Sequence, residues 1–279
     1  MPRDPKPTTA PASGLKSGDF RYGITSLQRG LKILTLLANS DSAMSATEIG
    51  RATKLHGSTV HRFLVNLENS GYVSRDQFSN YCLGPRCISL GRAALQQLDV
   101  RRASAKELEN LNRSTRETVH LSIRSGLTAV YIEKFDSPEP LRIFSHIGAS
   151  VPLHCTAMGK IFLASLPQKE QSQLLASLDL KRFTKMTLCT RSAMADELAK
   201  VKAHGYALDN EEHEPHIKCI AAPIWDSRGE AVAAFSITGP AIRMHKSRIR
   251  ELIPLVKATS AAISESLGYS SAPAQVSKG

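Results

Sequence analysis

No apolar run in this 279-residue chain approaches the ~18–20 residues needed to span a bilayer, and the N-terminus lacks the apolar core of a secretory leader. The five cysteines (Cys82, Cys87, Cys155, Cys189 and Cys219) are scattered and odd in number. That argues against a disulfide framework and fits a reducing cytoplasm. There is no Gly-x-Ser-x-Gly, no P-loop and no Gly-x-Gly-x-x-Gly, so catalysis has little to stand on. Internal repeats are absent too. What is present is length enough for two domains, each with its own core. A formal net charge of +11 points to a polyanionic partner. The excess is spread, however: residues 1–100 carry 12 Lys/Arg against 7 Asp/Glu, and the remainder 24 against 18.

The stretch from Ser45 to Leu67 is the most informative. Ala46, Ile49 and Ala52 recur at helical spacing behind Ser45, with Glu48 three residues on, which makes a capping box. Val60, Phe63, Leu64 and Leu67 form a second apolar stripe. Only Thr53–Gly57 separates them, room for a sharp turn between packed helices. This is the layout of a helix-turn-helix, whose second helix enters the major groove of double-stranded DNA. Ser58 and Thr59 at its start can bond phosphate, and His61 and Arg62 follow within a turn; an arginine there suits guanine O6/N7.

A helix over Ser26–Ala38, capped by Ser26, is expected to pack behind this pair with Leu27, Leu31, Leu34 and Leu37 along its face and Ile33 and Leu36 widening it. Arg29 and Lys32 point elsewhere, toward phosphate or solvent. After the recognition helix, Gly71–Arg75 and Asn80–Gly84 read as strands around the turn Asp76–Ser79, the wing of a winged helix, with Arg75 as a DNA contact near its tip. Gly71 suits a left-handed helix end. Residues 1–20 and 271–279 read as disordered tails around a DNA-binding domain at 21–84, a linker and dimerisation helix at 85–100, and a second domain at 101–270. Ile88, Leu90, Leu95 and Leu98 give the linker an apolar side.

The second domain mixes hairpins and helices, an α+β arrangement around an antiparallel sheet. Strands are expected at Thr118–Ile123, Leu127–Phe135, Leu141–Phe144, Tyr206–Asp209, Cys219–Trp225 and Ala231–Thr238. Helices are expected at Val100–Thr115, Thr156–Ser165, Gln168–Leu178, Ala193–Ala203 and Ile249–Leu267, the last with Pro254 confined to its first turns. The run His154–Lys160 opens a helix whose free N–H groups, with the Thr156 hydroxyl, suit a carboxylate; Ala157 and Gly159 allow close approach. Gly159 serves packing, and Lys160 a salt bridge, on the plainer reading. Asp209 could accept from ligand hydroxyls, while Cys219, Ser236 and Thr238 face a pocket or the core. Two other readings have less support. His213, His216 and Cys219 have metal-ligand spacing without an evident fourth ligand. Cys155 beside His154 has no orienting acid. No catalytic residue, metal or cofactor is expected.

In order and spacing, SLQRGLKIL, LHGSTVHRFLVNLENSGYV, YCLGPRCISLG, ETVHLSI, PLHCTAMGKIFLA, GYALDNEE, KCIAAPIWD and AAFSITGP resemble IclR-family transcriptional regulators over about 24–269. The resemblance implies an N-terminal winged helix-turn-helix, a linker helix and a GAF-like effector domain. It also implies dimers or tetramers on a palindromic operator and a small organic acid as effector. The effector site it implies falls on Thr156, Ala157, Met158, Gly159, Asp209, Cys219, Ser236 and Thr238. Where the family often has Pro and a basic residue before the Ser-Thr pair, this chain has His56 and Gly57; Ser236/Thr238 replaces two serines but keeps both hydroxyls. EKFDSPEPLRIFSHIG with DNEE is similar to the KdgR-like branch, which senses sugar-acid catabolites. A cytoplasmic regulator of a catabolic operon follows, preferred as a repressor although no residue decides it. The alternative is an enzymatic domain on a DNA-binding anchor that turns over the acid it binds.

Overall fold

A computed structural model describes residues 25–97, 99–141 and 143–270. The expected tails, residues 1–20 and 271–279, and Leu98 lie outside the described residues. The chain divides between Ala94 and Leu95 into two compact units.

The first unit runs α1 (Thr25–Ala38), β1 (Met44–Ser45), α2 (Ala46–Thr53), α3 (Gly57–Asn69), β2 (Val73–Arg75), β3 (Asn80–Leu83) and α4 (Pro85–Gln96), which crosses the division. Ile33, Leu37, Ile49, Val60, Leu64, Val73 and Tyr81 form its core. The capping box at α2 is complete: Glu48 N–H donates to Ser45 Oγ (3.3 Å), and Ser45 N–H donates to Glu48 Oε2 (2.8 Å). Such a cap contributes about 1 kcal/mol. Helix α3 ends as expected at Gly71, whose φ of 73° lets its N–H reach Glu68 O while Tyr72 N–H reaches Leu67 O. That pair of bonds satisfies two carbonyls of the last turn. The wing is antiparallel with strand order β1-β3-β2; β1, only two residues long, carries too little alternation to be seen in the sequence.

Three expectations for α1 are corrected. The helix begins at Thr25, so Ser26 sits within its first turn and is not its cap. Its buried face is Gly30, Ile33 and Leu37, with Leu34 and Leu36 packed beside it, whereas Leu27 and Leu31 are exposed; the N-terminal half of the leucine stripe faces away from this unit's core. Lys32 donates to Thr53 O at 2.9 Å, closing the C-terminal end of α2 where a cation is favoured.

The second unit runs α5 (Asp99–Thr115), β4 (Thr118–Ser125), β5 (Thr128–Phe135), β6 (Ser150–Pro152), α6 (Ala157–Ala164), α7 (Gln168–Ser177), α8 (Arg191–His204), β7 (Ala207–Asn210), β8 (Ile217–Trp225), β9 (Ala231–Pro240) and α9 (Lys246–Ser266). Its strands form one antiparallel sheet of order β6-β5-β4-β9-β8-β7. Side chains alternate across the pleat. Val119, Leu121, Ile220, Ala222, Phe235 and Ile237 pack on α5 and α9. The opposite face meets α6, α7 and α8 through Ala129, Ala207, Ala221 and Ala234. Small residues dominate there, which leaves room between sheet and helix.

Two expectations fail in this unit. Among the described residues of the expected strand Leu141–Phe144 none is in a strand: β5 takes its edge partner from Ser150–Pro152 instead, and Leu141 and Phe144 are exposed. Helix α9 starts at Lys246, so Pro254 lies more than two turns inside it. Pro254 is on the exposed side, where water can take the Arg250 carbonyl that proline leaves without a donor.

Candidate functional site

In the first unit, Ser58, His61 and Arg62 lie exposed on α3 and Thr59 is half-buried, with Val65 and Asn66 continuing the exposed side. The N–H groups of Gly57 and Ser58 find no acceptor among the described residues. They form an anion-seeking helix start. His56 takes the N-cap position without a capping bond, and its Nδ1 lies 2.9 Å from Ser58 Oγ. Ser58 therefore does not cap α3; its neighbour holds it. Arg75 does not stand free at the wing tip. Its Nη2 donates to Ser79 Oγ at 2.6 Å, and its guanidinium lies over the Tyr81 ring at 5.7 Å. Asp76 Oδ1 accepts from the Phe78 and Asn80 N–H groups, fixing the turn. Phe78, on the same turn, is 75% exposed.

In the second unit, a cavity of about 200 Å³ opens between the sheet and the start of α6. Thr156, Ala157, Met158, Asp209, Cys219, Ser236 and Thr238 line it, seven of the eight positions expected. Strand register makes the meeting: Cys219 pairs with Thr238, Asp209 with Cys219, and His120 with Ser236. Gly159 is the exception. A Cβ there would overlap the Leu153 backbone, so its smallness serves packing beneath α6. Thr156 is the α6 N-cap; its hydroxyl accepts from Gly159 N–H (3.2 Å) and donates to Pro152 O (2.6 Å). It is therefore committed to the fold, and the N–H groups at this helix start without an acceptor among the described residues are those of Ala157 and Met158.

Across the cavity, Asp209 is buried and accepts only from backbone, Glu212 N–H at 2.7 Å. Burial, with Glu212 nearby, raises its pKa to about 7. The folded chain therefore holds a proton here that the unfolded chain releases once pH exceeds 3.8. The stability this confers is full below that value and lost as pH rises toward 7. Asp209→Asn should raise Tm at pH 8 by at least about 2–4 °C, and by less at pH 5. Calorimetry at the two pH values checks this; an equal shift at both would contradict the buried carboxyl.

Sequence reasoning missed His120, Tyr131, Ser145, His146 and Glu214, which also line the cavity. The alternation Thr118, His120, Ser122 against Val119, Leu121, Ile123 was the available signal: a polar face on a strand otherwise apolar. Lys160 is fully buried, its Nζ donating to Glu212 Oε1 (2.7 Å) and Glu197 Oε1 (3.1 Å). That is the salt bridge of the plainer reading.

The structure does not bring His213, His216 and Cys219 together as a metal site. His216 is 92% exposed in its side chain with φ of 64°, Cys219 faces the cavity, and no group of three His, Cys, Asp or Glu converges among the described residues. Cys155 is fully buried, which raises its thiol pKa far from nucleophilic range, and His154 Nε2 lies 2.9 Å from Lys181 O. Nothing activates a nucleophile here. No described helix is long and apolar enough to cross a membrane.

Residues 92–265 match the family model described as bacterial transcriptional regulator IclR C-terminal, and residues 26–77 match the IclR helix-turn-helix domain. The HTH-type transcriptional regulator KdgR of Escherichia coli (strain K12) is 34% identical over 246 residues, 87% of this chain and 94% of that protein. The transcriptional repressor IclR of the same organism is 31% identical over 257 residues, 91% of each chain. The crystal structure of the Thermotoga maritima IclR superposes with a TM-score of 0.71 at 32% identity, covering 88% of this chain and all of that one.

Proposed function

This chain belongs to the IclR family of bacterial transcriptional regulators, and on that premise we propose that it is a cytoplasmic repressor that binds a palindromic operator as a dimer or tetramer and is released by a small carboxylate. The observation that carries the reading is the cavity. The open N–H groups of Ala157 and Met158 offer a seat for a carboxylate, and the buried Asp209, with Ser236 and Thr238, offers partners for hydroxyl or keto oxygens and their protons. A hydroxy or keto acid, such as a sugar-acid catabolite, satisfies both sides; an aromatic acid bearing a hydroxyl does so as well. Gly159 supports the site from behind and Thr156 by capping; neither is assigned a ligand bond.

Ser58, Thr59, His61 and Arg62 are the proposed DNA contacts. The wing's contribution shifts from Arg75, which is held against Ser79 and Tyr81, toward the exposed Phe78. Residues 85–100 serve as linker and dimerisation segment; Ile88 is 75% exposed and no α4 side chain with a described environment is buried. Two copies joined there would set the spacing of their recognition helices, as half-sites on one DNA face require.

Selection of bound DNA from a random pool, followed by footprinting, should recover a two-fold symmetric site. A thermal-shift panel of sugar acids, keto acids and aromatic acids should contain a stabilising member that changes operator affinity by about 5- to 150-fold. Salt-steep binding to any duplex, with no protected palindrome, would overturn the reading.

A further inference from the structure

His120 stands in the middle of β4, almost fully buried, and touches two parts of the cavity that have no other bond in common. Its Nδ1 lies 3.4 Å from Thr238 Oγ1 on the floor. Its Nε2 lies 2.7 Å from Ser145 Oγ in the mouth segment 143–148. The ring stacks on Tyr131 with centroids 4.5 Å apart, so its plane is fixed. On the floor, Thr238 Oγ1 is 3.2 Å from Ser236 Oγ and donates to Cys219 Sγ at 3.3 Å. In the mouth, Ile143, Phe144, Ser145 and His146 line the cavity, and Phe144 is 99% exposed. Lys134 Nζ donates to Ser145 O at 2.7 Å, and Gly148 N–H donates to Tyr131 O at 2.8 Å.

Burial, with Lys134 beside it, keeps this imidazole neutral, its pKa pushed down to about 3. A neutral ring carries one N–H and one bare nitrogen. Between two hydroxyls it has two proton orders. In one, Nε2–H donates to Ser145 while Thr238 turns its one hydroxyl proton from Cys219 Sγ to Nδ1. In the other, Nδ1–H donates to Thr238 while Ser145 donates to Nε2. A ligand oxygen that accepts from Thr238 takes its hydroxyl proton away from Nδ1 and enforces the second order; a ligand donor to Thr238 does the reverse.

We propose that His120 is a positioning residue coupling the state of the cavity floor to the mouth segment 143–148, because the partners of Ser236 and Thr238 decide which ring nitrogen bears the proton and so which bond holds Ser145. The proposal rests on the cavity being the effector site, since only there does a ligand reach Thr238. Through it, an acid bound at the floor resets the segment that displays Phe144 on the surface. No atom of the ligand need touch that segment.

The test uses the full chain without ligand, so its outcome is separate from whether any acid binds. Hydrogen exchange over residues 143–148 is the readout. His120→Phe keeps the stack on Tyr131 and loses both polar bonds. His120→Asn places its amide near the floor bond, and His120→Gln near the mouth bond. Phe and Asn should speed exchange of 143–148 by roughly five- to tenfold, the loss of one net hydrogen bond. Gln should return it to within about twofold of the parent. Thr238→Val, which removes the floor hydroxyl and has no described bond to the mouth, should speed exchange there in the parent chain and add nothing in the His120→Phe chain. Unchanged exchange in Thr238→Val, or the same increment in both backgrounds, would overturn the proposal. So would a Gln variant that behaves like Phe, for then the ring merely fills space. Failure of every acid in the thermal-shift panel would instead count against the effector reading and leave the ligand-free coupling as measured.

Discussion

Arg62→Ala should weaken binding to the selected operator by about 5- to 150-fold, the 1–3 kcal/mol of a bidentate base contact. The side chain is exposed on α3 and has no side-chain hydrogen bond or ion pair with the described residues, so its removal leaves the unit's core untouched. Stability and the response to acids in the thermal-shift panel should therefore be unchanged. Arg62→Lys separates the two roles an arginine can take here. A lysine keeps the charge for a phosphate but loses the planar fork that matches guanine. If Arg62 reads a base, Lys recovers little affinity and discrimination relaxes at one position of each half-site. If it contacts phosphate, Lys recovers most of the affinity and Ala lowers the salt slope by about 1. Thr59→Ala should act in the same direction with smaller effect, since Thr59 is half-buried. Undiminished shifts with both alanine variants would remove α3 from the DNA interface.

The first unit was legible because its signals are local. A capping box, an apolar stripe at i, i+3, i+4 and i+7, and a glycine at a left-handed helix end each report on a few consecutive residues, and α2, α3 and Gly71 stand where those signals place them. Reading α1 by leucine count held for Leu34 and Leu37 and failed for Leu27 and Leu31, for the opposite reason. Which of its sides meets the core depends on where α2 and α3 lie, and Ile33 and Leu37, not Leu27 and Leu31, turn toward them. The segment Leu141–Phe144 has the composition of a strand, but a strand needs a partner, and the free edge of β5 is taken by Ser150–Pro152.

The cavity was legible at α6 and along β8 and β9, where polar residues interrupt apolar strands. His120 and Tyr131 were not, because their place beside Ser236 and Thr238 is set by the pairing of β4 with β9, more than a hundred residues apart in sequence. A buried histidine on a strand also has a plain reading as a satisfied core residue, and only its two hydroxyl neighbours separate the readings. Arg75 shows the converse: proximity to a turn in sequence placed it near the tip, but its bond to Ser79 ties it back while Phe78 stays exposed.

Lys160→Met should cost the second unit about 3–5 kcal/mol at pH 8, the expected result of removing one partner from a buried ion pair. Lys160 is fully buried and Glu212 is 6% exposed, whereas Glu197 keeps 24% of its side chain in solvent and can rehydrate. The stranded charge is therefore Glu212, whose Oε2 already lacks a partner among the described residues. Burial raises the Glu212 pKa and Lys160 opposes that rise; without the lysine it rises further. Protonation then relieves the stranded charge, so the cost of Lys160→Met should shrink as pH falls from 8 to 5. Glu212→Gln removes the charge outright, and the double variant Lys160→Met/Glu212→Gln should recover most of the loss, giving a coupling of at least about 2 kcal/mol in a double-mutant cycle. The consequence reaches the cavity. Lys160 fixes Glu212, and Glu212 N–H donates to Asp209 Oδ1, so the same variants should shift the pH dependence of any acid that bonds Asp209. Additive losses in the cycle, or a pH-independent cost, would mean that the lysine acts by packing alone.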